Sequence, residues 1–485
     1  MKIKNRKVGV TLIALVITFS TFLPAHSAPL DLTKINVLSS ENISSTTVDG
    51  HLEVYLNSFK PNTQIYFKVN LNNSEPTTLV SNGSKLDLAA NGTFQFSTTS
   101  GSTLSEKAIK EPIRTFSDSN GNVVLKVLPT PPDFPIISFS GDTSLVAKRQ
   151  ILSTPVVASG TYALATQGDQ INFFVKSPNN LIGFRQIDDS QLLPSVGGIP
   201  IYTYLDQTDF GVTATSPGIW RLLDKDFNYL ERINRVQTKF GSLLSEGHGM
   251  TTSPSGNAVV ITTPVRQVDS SWLKRQYKLP ILDCDIAEVR NGKAIREFSF
   301  WDWAVAHKSI AQPLFDAMPL FNDPQNPTSS PIDICHANSM EYYKPLNTYL
   351  LSFRSPSIIV MLSADLKNIT TILPTNSSLQ HFARFNGKNQ ITDLGNYTFA
   401  KNSKFQVFNR SGNTWKLTEY NFPNHTEYCG NTNFLDKTHI WLGGGCGPAT
   451  PGVLGAIYEI NGNDLIEIGQ VKLDKFNYSY RADLL

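Results

Sequence analysis

The chain has 485 residues, a formal net charge of +2, 17% charged and 40% hydrophobic side chains, and four cysteines. At roughly 100–200 residues per domain this leaves room for two to four units, each able to bury its own core. The near-neutral balance excludes a strongly basic nucleic-acid binder and an acidic disordered tail, and so few cysteines exclude a disulfide-built miniprotein.

The N-terminus predicts export. Lys2, Lys4, Arg6 and Lys7 precede an apolar stretch from Val8 to about Leu23, and Ala25 and Ser27 hold the small-residue positions of a cleavage site. Residues 1–27 therefore read as a signal peptide that leaves Ala28 first; an uncleaved anchor is the alternative. The segment carries four basic and no acidic side chains, so the remaining chain has a net charge of −2. No further membrane embedding is expected.

Residues 28–128 read as a small N-terminal β-sandwich. Leu52, Val54 and Leu56 alternate with polar neighbours, as do Ile65, Phe67 and Val69, then Val123, Leu125 and Val127. Turn pairs at Pro61-Asn62, Asn82-Gly83, Asn91-Gly92 and Asn120-Gly121 separate the runs. Residues 129–149 form a linker stiffened by Pro129, Pro131, Pro132 and Pro135.

Hairpin signals then fall at Gly168-Asp169, Asp224-Lys225, Gly256-Asn257, Asn291-Gly292, Asn386-Gly387, Gly412-Asn413, Asp436-Lys437 and Gly462-Asn463. They come in pairs, and two hairpins make one four-stranded blade. At roughly 40–50 residues per blade, residues 150–485 have room for six, so the fold class is all-β: a six-bladed β-propeller behind the sandwich. A row of plain sandwiches is the alternative. Trp303 to Ser330, rich in Pro, Asp and Asn, reads as an insertion between blades.

In an exported chain the cysteines are expected to pair. Cys429 and Cys446 flank Asp436-Lys437 at comparable distances and would face each other across that hairpin; Cys284 and Cys335 are the remaining pair, with buried free thiols as the alternative. Ten Asn-x-Ser/Thr sequons, including Asn91, Asn368 and Asn424, are no more than so Asn-, Ser- and Thr-rich a chain gives by chance.

Of eight histidines, His248, His336 and His381 stand apart because each opens the first hairpin of a proposed blade. First strands line a propeller's central channel, so matching positions converge on one axis. Three imidazoles can hold zinc, and three separately hydrogen-bonded histidines are the plain alternative. Arg354 weighs against a cation, because it ends the strand paired with the one His336 opens, and a guanidinium favours an oxyanion. Asn338 shares the His336 strand face and brings amide donors. No metal and no cofactor is expected.

These stretches resemble the bacterial aryl-sulfate sulfotransferases that work without the nucleotide donor PAPS. The matching pieces are Gly247-His-Gly-Met with Ser255-Gly-Asn257, Asp333-Ile-Cys-His-Ala-Asn-Ser339, Leu351-Ser-Phe-Arg354 and Gln380-His-Phe-Ala-Arg384, in the family's order and at similar spacing. Tyr480-Arg-Ala482 resembles the family's closing strand, which would complete the first blade. The resemblance covers most of residues 150–485 and implies a periplasmic or secreted enzyme. It implies that His381 is the nucleophile, transiently sulfated, and that His248, His336, Asn338 and Arg354 bind and stabilise the sulfuryl group.

The sequence departs from the family at three places. Phe382 stands where Asp is typical, Ile369-Thr-Thr-Ile-Leu-Pro-Thr375 replaces a Trp-x-Leu-Gly-Gly stretch, and Ser403-Lys404 replaces Ser-Arg. They bear on the choice of donor and acceptor.

The expected reaction is ping-pong transfer from an aryl sulfate donor to a phenolic acceptor. A nucleotide is not required, and there is no GxxxxGK[ST] loop to bind one. A non-catalytic ligand-binding propeller and an aryl-sulfate hydrolase remain the alternatives, and a homodimer stays open. Tyr202, Tyr204 and Trp220 are candidates for an aromatic pocket, with core packing as their alternative role.

Overall fold

The computed structural model describes residues 35–39, 42–72, 75–187, 197–207, 217–273, 278–318, 331–375, 379–396, 403–423, 429–445 and 452–485, with Leu32 and Leu193. The expected signal peptide lies outside them. Among the described residues no helix is long and apolar enough to cross a membrane.

Two sheets form the N-terminal part. Ile35–Ser39, Gln64–Leu71 and Thr93–Thr99 make one of three strands. The other has six: Ile43–Val48, His51–Leu56, Val123–Leu128, Arg114–Ser117, Thr77–Ser81 and Ser84–Leu88, in that order. Residues 64–71 show how alternation produces this: Ile65, Phe67, Val69 and Leu71 are buried while Gln64, Tyr66 and Lys68 are exposed. Val54, Val69, Leu79, Phe94, Phe116 and Leu125 share one core.

Six four-stranded blades follow. From the centre outward, blade 1 is Tyr478–Leu484, Gln150–Val157, Gly160–Gln167 and Gln170–Ser177, and blade 2 is Asn180–Gln186, Tyr202–Gln207, Pro217–Leu223 and Tyr229–Ile233. Blade 3 is Gly241–Thr252, Ala258–Thr262, Asp285–Arg290 and Lys293–Ser299; blade 4 is Ala337–Tyr343, Thr348–Phe353, Ile358–Ser363 and Ile369–Pro374. Blade 5 is His381–Phe385, Gln390–Gly395, Lys404–Ser411 and Thr414–Asn421. Blade 6 is Asn431–Phe434, His439–Gly443, Val453–Asn461 and Asp464–Leu473. All eight hairpin signals fall between consecutive strands of a blade. The fold is the six-bladed propeller that the paired turns predict.

Blade 1 is built from both ends of this segment, because Tyr478–Leu484 pairs antiparallel with Gln150–Val157. The sixth blade presses closely on that strand. The Trp441 indole N–H donates to the Ala482 carbonyl at 2.7 Å. A Cβ on Gly444, which has φ +68°, would lie 2.5 Å from the Arg481 Cα. Only glycine tolerates both that backbone and that approach.

Two outer edges are extended by chain from before the propeller. Ser58–Phe59 pairs with the outer strand of blade 1, and Ile137–Gly141, inside the Pro-rich connector, pairs with the outer strand of blade 6. The insertion expected near Trp303 contains helices Phe300–Ala306 and Lys308–Asp316; residues 319–330 lie outside the described set. Ser299 caps the first helix by accepting from the Asp302 N–H at 3.0 Å. Phe300, Trp301, Trp303 and Phe315 then bury against blades 3 and 4.

The disulfide is Cys284–Cys335, which ties blade 3 to the turn before blade 4 across a separation of 51 residues. Cys429 is also disulfide-bonded, and its expected partner Cys446 lies outside the described residues.

Trp441→Ala would remove a fully buried ring and the hydrogen bond to the closing strand, at an expected cost of about 3–5 kcal/mol. Urea unfolding monitored by circular dichroism measures it, and an unchanged midpoint would contradict the closure described here.

Candidate functional site

The propeller brings the three histidines to one end of its channel. His248 lies in the innermost strand of blade 3, His336 immediately precedes that of blade 4, and His381 begins that of blade 5. The His248 and His336 rings lie 5.2 Å apart, centre to centre. Tyr480, from the closing strand, sits between blades with its ring 5.3 Å from His248 and 6.4 Å from His381.

Each imidazole is oriented through Nδ1. A carboxylate oxygen of Glu246 pairs with Nδ1 of His248, and the other accepts the His248 backbone N–H at 2.7 Å. Asp333 repeats the arrangement: Oδ2 lies 2.6 Å from His336 Nδ1, and Oδ1 accepts the His336 backbone N–H at 2.8 Å. That clasp holds His336 at φ +45°, a left-handed backbone rare for a non-glycine residue. His381 differs. Its Nδ1 lies 2.9 Å from the Leu379 carbonyl and 2.7 Å from Asn396 Oδ1. A carbonyl only accepts, so Nδ1 carries the proton and Nε2 keeps the lone pair.

Electrostatics reinforce that state. Burial, followed by the charges of Arg354 and Arg481 and then by His248 and His336, holds the His381 pKa well below the ordinary imidazole value. Burial also lowers that of His248, against the opposing pull of Glu246. Glu246 and Asp333 are both lowered: burial pushes them up, and the adjoining histidines more than offset it. The Tyr480 phenol is pushed up to about 12, chiefly by burial, and stays protonated.

Arg354 and Asn338 are both in the group. The Arg354 backbone N–H donates to the His336 carbonyl at 3.2 Å, so the two lie side by side at the strand ends. Asn338 is fully buried and donates from its amide to the Gln380 carbonyl, which commits one amide proton to tying blade 4 to blade 5. Gln380 in turn donates to the carbonyls of Phe353 at 2.8 Å and Ile358 at 3.1 Å. The sequence-derived set of His248, His336, Asn338, Arg354 and His381 therefore occupies one neighbourhood. Among the described residues no group of three or more His, Cys, Asp or Glu is arranged to hold a metal ion.

Other residues fall elsewhere. Trp220 and Tyr204 are buried within blade 2, and Tyr202 stacks on Phe227 at 4.6 Å, so all three pack blades. His51 pairs with Glu53, His307 stacks on Trp303, and His439 bonds Asp436. The open clefts lie on the three-stranded sheet, at Leu38, Tyr66 and Phe96, and beside blades 2 and 3, at Arg232, Asn234 and Arg290; neither touches the histidines.

Residues unread in the sequence complete the pocket: Glu246, Asp333, Asn396 and Arg481. Two left a signal, since an acidic residue precedes His248 by two positions and His336 by three. Arg481 lay inside the Tyr480-Arg-Ala482 stretch, which was read only as a closing strand, and Asn396 left no signal. Of the departures from the family pattern, Ile369–Pro374 is the outer strand of blade 4, and Lys404 forms an ion pair with Glu419 at 2.9 Å within blade 5. Phe382 lies at the centre, with the Arg384 and Arg481 guanidinium carbons 3.9 Å and 4.6 Å from its ring centroid.

No family model matches the chain, and no curated protein matches it. Solved structures do, distantly. A protein of unknown function from Bacteroides caccae is 9% identical over 70% of this chain and 99% of its own, with a TM-score of 0.40. A putative 6-phosphogluconolactonase from Bacteroides uniformis is 8% identical over 85% and 100%, with a TM-score of 0.38. The periplasmic gluconolactonase of Pseudomonas aeruginosa is 10% identical over 66% and 82%, also at 0.38.

Glu246→Gln removes the carboxylate that raises the His248 pKa, so His248 is expected to titrate at still lower pH. Long-range proton–nitrogen NMR of the imidazoles follows this directly, and a midpoint that rises would show that Glu246 does not act on His248.

Proposed function

We propose that the protein transfers a sulfuryl group from an aryl sulfate to a phenol through a sulfohistidine on His381, and that it acts after export, in the periplasm or outside the cell. The observation that carries this reading is the state of His381. It is buried, neutral, protonated at Nδ1 by its tie to the Leu379 carbonyl, and flanked by guanidinium groups. A neutral imidazole with a bare Nε2 in a positive pocket is a nucleophile suited to an anionic ester.

In the first half-reaction the Nε2 lone pair forms an N–S bond while the S–O(aryl) bond breaks, and its electron pair departs on the phenolate oxygen. Arg354 and the remaining Asn338 amide proton face the charge carried by the sulfuryl oxygens. The phenolate leaves as the anion and takes its proton from solvent; His248, neutral and paired with Glu246, takes the proton of the acceptor phenol in the second half-reaction and passes it to solvent. The acceptor oxygen then attacks sulfur, the N–S bond breaks, and the lone pair returns to Nε2. Phe382 gives the two inner arginines an aromatic face where the related family places a carboxylate, which leaves the pocket more positive. That supports an anionic donor. The resemblance in residues 247–257, 333–339, 351–354 and 380–384 supports the same chemistry.

Purified protein given 4-nitrophenyl sulfate is expected to release no more than one equivalent of 4-nitrophenol until a phenol is added, then to turn over, and His381→Ala to lose at least about 10³-fold of that turnover rate. Sustained turnover without a phenol would identify a hydrolase, and no release a binding protein. Because the His381 pKa is lowered, the nucleophile stays neutral as the pH falls through 6.5. The rate should therefore hold across pH 6–7, and an acid limb centred near the ordinary imidazole pKa of about 6.5 would count against His381.

A further inference from the structure

We propose that Arg481 is the positioning residue of this pocket: one guanidinium from the closing strand sets the relative places of the three strands that carry His248, Asn338 and His381. The inference rests on the pocket and not on the reaction read into it. Arg481 is buried, at 3% exposure, beneath the histidines. Nη1 donates to the His248 carbonyl at 3.4 Å, on blade 3, and Nη2 donates to the Asn338 carbonyl, on blade 4. Its guanidinium carbon lies 4.6 Å from the centre of the Phe382 ring, next to His381 on blade 5. Phe382 reaches it through a bulge between His381 and Arg384, where φ is +65°.

A second arginine repeats the crossing one layer along the channel. Arg185, from blade 2, donates from Nη2 to the carbonyls of Met250 and Met340, the latter at 3.0 Å. Met250 and Met340 each lie two residues beyond His248 and Asn338, so both arginines staple the same two strands at successive inward-facing positions. Arg481 in addition contacts the strand of His381 through Phe382. A flat fork with donors on two edges and an apolar face serves these three contacts together. Lysine, with its point charge, keeps the positive charge and loses the geometry. Arg481 also helps keep His248 and His381 neutral, beside Arg354, His336 and the opposing Glu246.

The test is Arg481→Lys in the full chain, read by imidazole proton–nitrogen spectra without substrate. Signals of His248 and His381 are expected to move or broaden, while His51 and His439, in the N-terminal sheets and at the start of a blade 6 strand, stay in place. If the protein transfers sulfuryl groups, kcat should also fall about 10–100-fold, with KM changed far less, as for a misplaced reacting group. Site signals that coincide with those of the parent protein would overturn the proposal, because charge alone would then suffice. Phe382→Leu leaves the closing strand intact and decides the matter should Arg481→Lys not fold: shifted His381 signals support the proposal and unshifted ones overturn it. A parent protein that turns over no aryl sulfate defeats the proposed function and leaves the spectral test standing.

Discussion

The pairing of Tyr478–Leu484 with Gln150–Val157 is the contact on which the molecule depends. Six blades in a row present two open ends, and each end would expose an apolar blade face to water. Drawing one strand from the far end of the segment into blade 1 covers both faces at once. The loop closed is long, but the entropy of closing a loop grows only with the logarithm of its length. The gain grows with the apolar surface buried between the first and last blades. Trp441, Leu454, Ile457 and Val471 from blade 6 share a core with Ile151, Tyr162, Leu164 and Phe174 from blade 1. The two backbones meet so closely that Gly443 and Gly444 have no room for side chains.

The centre that closure creates is dense in charge and short of water. Arg185, Arg384 and Arg481 are buried there with Glu246 and Asp483. Burying unpaired charge is costly, and the structure meets that cost with backbone carbonyls, a ring face and neutral imidazoles. Two of the histidines are the adjustable members, since the lowered pKa of His248 and His381 spares the channel two more cations at neutral pH. His381 goes furthest in this direction because its partners at Nδ1, a carbonyl and an amide oxygen, are uncharged. His248, with a carboxylate as partner, is held back from the same fate. Two imidazoles in one pocket are thus set to different proton affinities by what lies behind them.

Much of the fold could be read from residue order because its determinants are local. Asn386-Gly387 or Gly462-Asn463 declares a hairpin within four residues, and the recurrence of such turns shows the blades. The shared register of His248, His336 and His381 was visible for the same reason. What stayed hidden depends on residues far apart in sequence. Arg481 reaches a carbonyl 233 positions earlier, and Asn396 tethers a histidine 15 positions before it. Local symmetry pointed to Cys429 and Cys446 as the better-supported cysteine pair. The bridge described in full joins Cys284 to Cys335, whose approach depends on the helical insertion folding between blades 3 and 4.

The chain order of the closing strand has a consequence for how the pocket comes into being. His248, His336, His381, Asn338 and Arg354 are all synthesised before Tyr478, yet the ring cannot shut until the strand from Tyr478 to Leu484 is available. A chain stopped a few residues short of that strand would contain all five of those side chains and lack the site. Such a product would also expose the face of blade 6 that Ala482 and Leu484 cover, and so would be prone to associate. The closing strand acts as an inspection step: the histidine cluster is assembled only on molecules that carry it.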